Sequence, residues 1–218
     1  MAHIVLLGDS IFDNAPYVPA GEQVQAQLQS ALGSRDSVTL LARDGSVLAD
    51  MVAQVARLQD LPEPADWLVV SCGGNDVLGL AGAMQSSVTS VIEAARMLAE
   101  WQARFQRDYR RMLNVVLSRR KPVALATIYD GVPGLDPGLR MALAPFNDVI
   151  VREAVAHRLP LLDLRLVCDA REDYAAVSPI EPSGQGGRKI ASVIAELVRT
   201  HVPNTPRTVV YGKTNFSA

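Results

Sequence analysis

The sequence predicts an α/β protein in which a five-stranded parallel sheet is covered by helices on both faces. Two patterns carry that prediction. Five short apolar runs alternate with longer stretches of helical spacing, and the first three runs end in polar turns that contain glycine. Strand and helix alternating five times favours parallel strands joined by right-handed crossovers, which gives three α/β/α layers.

The run Ile4-Val5-Leu6-Leu7 predicts a strand over 3–8, which stops at Gly8-Asp9-Ser10-Ile11. Helical spacing follows over 22–33. A second strand over 37–42 leads into Ala42-Arg43-Asp44-Gly45-Ser46, with a helix over 47–58 behind it. Trp67-Leu68-Val69-Val70-Ser71 predicts the third strand, 67–71, and Gly73-Gly74-Asn75-Asp76 closes it. After a short helical cue at Ala81-Gly82-Ala83-Met84, apolar residues recur through Val91, Leu98, Trp101, Phe105, Tyr109, Met112 and Val116. They predict a helix over 87–119 with a break near its middle.

Val123 to Ile128 lies in a fourth strand, 122–128, and Tyr129 and Asp130 follow at its end. The Pro-rich turn from Val132 to Pro137 precedes a helix over 139–157, a fifth strand over 159–164 and a last helix over 184–200. The polar, Pro-containing tail 205–218 reads as a loose end, although Val209-Val210-Tyr211 could pack as an extended strand or against a second subunit.

With 218 residues, 49% hydrophobic and 20% charged, the chain can bury a sizeable core, and with no repeat or linker it reads as one domain, 1–218. A net charge of −2 gives no nucleic-acid surface. Arg104, Arg107, Arg110, Arg111, Arg119, Arg120 and Lys121 have the spacing of a solvated helix face, which could also contact a partner. No membrane segment is read, and Met1-Ala2-His3 enters a strand without a basic segment or cleavage site, so the expected location is cytoplasmic. Cys72 and Cys168 lack metal-site spacing and read as reduced core residues; no metal or other cofactor is expected. Gly8-Asp9-Ser10 also lacks the further glycines and the lysine of a phosphate-binding loop. The state of assembly is open, with a homo-oligomer as one option.

Ser10 sits where a strand stops, a position suited to a nucleophile. The same residues also serve as ordinary turn chemistry. Three polar turns after three successive strands are harder to assign to chance. In these turns the chain resembles the SGNH (GDSL-type) hydrolases, and the order and spacing match over nearly its whole length. The resemblance implies a flavodoxin-like sandwich and a serine esterase or acylhydrolase acting on a small-molecule ester. Ser10 would be the nucleophile. The Ser10 N–H, the Gly45 N–H and the Asn75 amide would form the oxyanion hole, whose donors are worth on the order of 3–4 kcal/mol each when removed.

The chain departs from the family near its C-terminus. The usual Asp-x-x-His is replaced by Ser178-Pro179-Ile180-Glu181, while Pro182 and the glycines that follow keep the family frame. The three histidines do not fill the gap. His3 and His157 fall at strand starts, and His3 is roughly 20 Å from Ser10 at the rise of a strand. His201 lies roughly 25 Å down the last helix.

Glu181 is therefore the candidate base, and burial near Pro179, Ile180 and Pro182 would raise its pKa toward neutrality. It could instead cap the helix beginning near Ser183 or pair with Arg188. Asp9 reads as a residue that fixes the nucleophile turn. Asp13 and Asn14 could line a pocket or cap a helix, Tyr129 and Asp130 could contact substrate, and Asp130 is a second candidate base. Asp173 and Tyr174 read as loop residues that could reach the site. Loss of both the aspartate and the histidine also allows a fold-retaining protein that binds a small acylated or sugar ligand without efficient catalysis.

Overall fold

The computed structural model describes residues 1–213; the last five residues of the expected loose tail lie outside them. Six strands, all parallel, form the main sheet: β1 (His3–Gly8), β2 (Ser37–Leu40), β3 (Trp67–Ser71), β4 (Val123–Ala126), β5 (Leu161–Leu162) and β8 (Val210–Tyr211), in the order β2-β1-β3-β4-β5-β8. The expected count of five is therefore corrected to six. Leu161 and Leu162 pair with Val210 and Tyr211 and draw the tail onto the sheet edge. The tail is also held by Tyr211, whose hydroxyl meets His201 Nδ1 at 3.2 Å, and by an ion pair between Lys213 and Asp169.

A separate antiparallel pair, β6 (Tyr174–Ala175) and β7 (Ser178–Pro182), lies where a loop was expected. The helices are α1 (Val24–Leu32), α2 (Met51–Ala56), α3 (Gly74–Leu78), α4 (Val91–Leu117), α5 (Pro137–His157), α6 (Leu164–Val167) and α7 (Gly184–Thr200). Alternation along the strands sorts their side chains onto two faces. Val5, Leu7, Leu68, Val70 and Leu125 pack with α2, α4 and α5, whereas Ile4, Leu6, Val69, Ala124 and Ala126 pack with α1 and α7.

The break expected within 87–119 is absent. Residues 91–117 contain neither Gly nor Pro, so nothing interrupts the hydrogen-bond ladder of α4. Its buried residues, Phe105, Tyr109, Met112, Leu113 and Val116, all belong to the C-terminal half, whereas Val91 and Ile92 of the first turn are exposed. None of the described helices is long and apolar enough to cross a membrane.

Strand order places the reversal of winding between β1 and β3. Open α/β sheets bind ligands outside the C-terminal strand ends at such a point. The Ser10 turn follows β1 and the Gly73 turn follows β3, so both open onto that crevice.

Candidate active site

Gly8 ends β1 with φ +130°, and a Cβ there would overlap the Ser71 carbonyl, so only glycine fits. The chain then reverses in a turn closed by Phe12 and Asp13 N–H donation to the Asp9 carbonyl, each 3.1 Å. Asp9 Oδ1 accepts from the Ile11 N–H at 3.2 Å, in accord with its turn-fixing reading. Gln54 of α2 holds Gly8 from the side. Its Oε1 accepts from the Gly8 N–H at 2.8 Å, and its Nε2 donates to the Gly8 carbonyl at 2.7 Å and to Ser46 Oγ at 3.1 Å.

Ser10 opens onto a cavity of about 160 Å³ whose polar wall includes Asp9, Asn75, Tyr129 and Glu181. The remainder is largely apolar, with Val77, Met84, Ile128, Leu135, Leu139 and Leu143 among its lining residues. Gly73, at φ +118°, turns the chain after β3 and starts α3, whose first turn carries Asn75 into this wall. Asn75 Nδ2 donates to the Ser46 carbonyl at 2.9 Å.

Gly45 does not line the cavity. It occupies the third position of the turn Arg43–Ser46 with φ +76°, closed by Ser46 N–H donation to the Arg43 carbonyl at 3.1 Å. That turn is tied to the Ser10 segment. Asp13 Oδ2 accepts from the Asp44 N–H at 2.9 Å, and the Tyr17 hydroxyl donates to Asp44 Oδ2 at 2.7 Å. Asp13 therefore joins two loops and caps no helix. Asn14, fully buried, does serve as a cap: its Oδ1 accepts from Val24 N–H at the start of α1, and its Nδ2 donates to the Pro182 carbonyl.

Glu181 reaches the site from β7. The Tyr129 hydroxyl donates to the Ile180 carbonyl at 2.6 Å and fastens the strand above the cavity. Neither alternative role is taken up by Glu181. Ser183 caps α7 by accepting from the Gly186 N–H at 3.1 Å, and Arg188 turns to Gln27 at 3.4 Å. Glu181 is only 5% exposed, and its Oε2 is buried without a partner. Burial pushes its carboxyl up to about 7, opposed by the adjacent Ser10 hydroxyl and reinforced by the Asp44 charge.

Asp130 is half-buried and does not line the cavity. Asp173 is fully buried, accepting from the Ala170 N–H and pairing with Lys189 at 2.7 Å, which makes it an anchor of α7. Tyr174 donates to the Cys168 carbonyl at 2.8 Å and stands edge-on to Tyr129. Burial pushes both thiols up, that of Cys168 to about 12, so neither is poised as a nucleophile. His3 bonds Glu63 and Thr39 at the strand starts, and His157 and His201 lie in the wall of a cavity at that same end of the sheet. Among the described residues, no His, Cys, Asp or Glu group is arranged to hold a metal ion.

Solved structures of several hydrolase and lipolytic proteins share this fold. A lipolytic G-D-S-L family protein from Veillonella parvula DSM 2008 superposes with a TM-score of 0.69 at 15% identity, covering 92% of this chain and 100% of its own. An alpha/beta hydrolase enzyme from the metagenome of Lake Arreo, Spain, gives 0.68 at 20% identity, with 94% and 97% covered. An aryl esterase of M. smegmatis gives 0.64 at 14%, with 93% and 100% covered. At these identities the likeness shows the fold. The model of the GDSL-like Lipase/Acylhydrolase family matches residues 6–189, and the chain belongs to that family. The search of curated proteins gives no match.

Proposed function

We infer that the protein is a serine ester hydrolase in which Glu181 replaces the usual histidine. The observation that carries this reading is the meeting of Ser10 and a buried, otherwise unpartnered Glu181 carboxyl in one cavity. Glu181 accepts the Ser10 proton as Oγ attacks the ester carbon, then returns it to the departing alcohol. Water hydrolyses the acyl-serine by the same route in reverse. The Ser10 N–H and the Asn75 amide supply the donors for the oxyanion, and the exposed Gly45, which lies outside the cavity, is not counted among them.

A carboxylate at its ordinary pKa is about two units less basic than histidine, a deficit of roughly 3 kcal/mol. Burial that raises Glu181 to about 7 offsets most of that deficit. The apolar lining favours an ester with a hydrocarbon acyl or alcohol part, and the aryl esterase among the similar structures agrees with such a substrate. No cofactor takes part, and the ester is the small-molecule partner.

Hydrolysis of a panel of aryl and alkyl esters, from acetyl upward, by the wild type and Ser10→Ala tests this reading. Turnover abolished by Ser10→Ala is expected. Turnover that persists unchanged in the variant, or its absence over the whole panel in the wild type, contradicts it.

A further inference from the structure

We propose that Tyr129 and Asn14 are positioning residues that set the Glu181 carboxylate toward Ser10 by gripping the backbone on either side of Glu181. The role rests on the proposed reading of the site, in which Glu181 is the base.

The need for this grip arises in β7. The antiparallel ladder pairs Tyr174 with Pro182 and Ala175 with Ser178, so two neighbouring residues of β6 face residues four apart on β7. Pro179, Ile180 and Glu181 are the extra residues of a bulge, and the register gives them no partner in β6. Bulges beside active sites re-aim a side chain and give up ladder hydrogen bonds. The side chain re-aimed here is that of Glu181, which lines the Ser10 cavity. Pro182 keeps the residue before it extended but brings no N–H of its own, so it stiffens the bulge without anchoring it.

Two buried side chains supply the anchors. The Tyr129 hydroxyl donates to the Ile180 carbonyl at 2.6 Å, and Asn14 Nδ2 donates to the Pro182 carbonyl at 3.2 Å. Those carbonyls belong to the residues immediately before and after Glu181. Tyr129 stands in the turn after β4, whereas Asn14 lies four residues after Ser10, in the segment that carries the nucleophile. Asn14 thus ties the base and the nucleophile to one stretch of backbone. Each anchor is itself fixed: the Tyr129 ring meets Tyr174 of β6 edge-on with centroids 5.1 Å apart, and Asn14 Oδ1 accepts from the Val24 N–H at 3.0 Å. Because the Tyr129 hydroxyl is spent on a backbone carbonyl, it acts on the reaction through Glu181 rather than on the ester. Glu181 Oε2 has no partner among the described residues, so no other side chain steers that oxygen and its direction follows from the held backbone.

The test is a double-mutant cycle. Rates of fluorophosphonate labelling at Ser10 are measured in the wild type, Tyr129→Phe, Glu181→Gln and the double variant, with kcat and KM for para-nitrophenyl butyrate beside them. Phe keeps the ring and removes only the hydroxyl. Expected for Tyr129→Phe is a loss of about tenfold or more in labelling rate and kcat with KM changed by less than about threefold, since small misplacements of a reacting group are costly. Added to Glu181→Gln, the same substitution should slow labelling no further, because its effect passes through the carboxylate. Asn14→Ala gives the same reading from the other carbonyl and serves if Tyr129→Phe fails to fold. Unchanged labelling in Tyr129→Phe, or an equal loss with and without the Glu181 carboxylate, overturns the proposal and leaves the hydrolase reading standing. No adduct on Ser10 in the wild type, or labelling indifferent to Glu181→Gln, overturns the reading of Glu181 as base and the proposal with it.

Discussion

Gln54 brackets the Gly8 peptide: its amide oxygen accepts from the Gly8 N–H at 2.8 Å and its amide nitrogen donates to the Gly8 carbonyl at 2.7 Å. The Gly8 N–H, two residues before Ser10, thus takes Gln54 as its partner, while the Gly8 carbonyl accepts both from Gln54 and from the Arg43 N–H at 3.1 Å. Leaving a buried polar group without a partner costs about 1–3 kcal/mol. Gln54→Leu leaves the Gly8 N–H without this partner and should therefore lower stability by about 1–3 kcal/mol and reduce turnover by at least tenfold. Denaturant midpoints with unchanged slope check the first effect and ester kinetics the second.

Gly8 itself admits no side chain. At φ +130°, and with the Ser71 carbonyl where a Cβ would lie, Gly8→Ala must displace β3 or the turn that carries Ser10. Loss of soluble, cooperatively melting protein is expected, read by circular dichroism. A variant melting within a few degrees of wild type contradicts the packing described at the end of β1.

The Glu181 carboxyl has a defined effect on stability. Its folded-state pKa, about 7, lies above the ordinary value of 4.5, so the folded chain holds the proton more tightly than the unfolded one. Stability then falls as pH rises from about 4.5 to about 7 and levels off beyond. Glu181→Gln removes that loss. Because the carboxyl faces an open cavity, the expected gain is reduced to about 1–3 kcal/mol at pH 8, with none at pH 4. Unfolding curves at the two pH values provide the check.

Leu139 lies in the apolar wall and is half-buried, so a larger side chain can be carried there without a collapse of the core. Leu139→Trp should reduce turnover of hexanoyl and longer esters by roughly tenfold or more while changing acetyl ester turnover by less than about threefold, since each buried methylene is worth about 1 kcal/mol or more. An equal loss for all chain lengths would place the hydrocarbon part outside this cavity.

The sheet was legible wherever apolar runs and glycine turns coincided, as at Leu7-Gly8, Ser71-Gly73 and the start of α7. What escaped was set by contacts between distant segments. Val210 and Tyr211 make a two-residue strand only because β5 has a free edge, and Tyr174 becomes a strand residue only opposite Pro182. Gln54 on Gly8, and Asn147 on both polar groups of Ile128 at 2.8 Å, are single amides on helices, where periodicity carries no mark of their targets. Asp9 was legible as a turn residue through its local bond to Ile11. Asp130 had the right position after β4, but the chain turns it away from the cavity lined by its neighbour Tyr129.

Fluorophosphonate labelling of wild type, Ser10→Ala and Glu181→Gln between pH 5 and 9, with the adduct located by mass spectrometry, tests the pairing of Ser10 with Glu181 most directly. Expected is an adduct on Ser10 that forms with an ionisation near 7 and slows by at least a hundredfold in Glu181→Gln. Labelling of Ser10 at the same rate and pH dependence in Glu181→Gln, or no adduct on Ser10 at any pH, would contradict it.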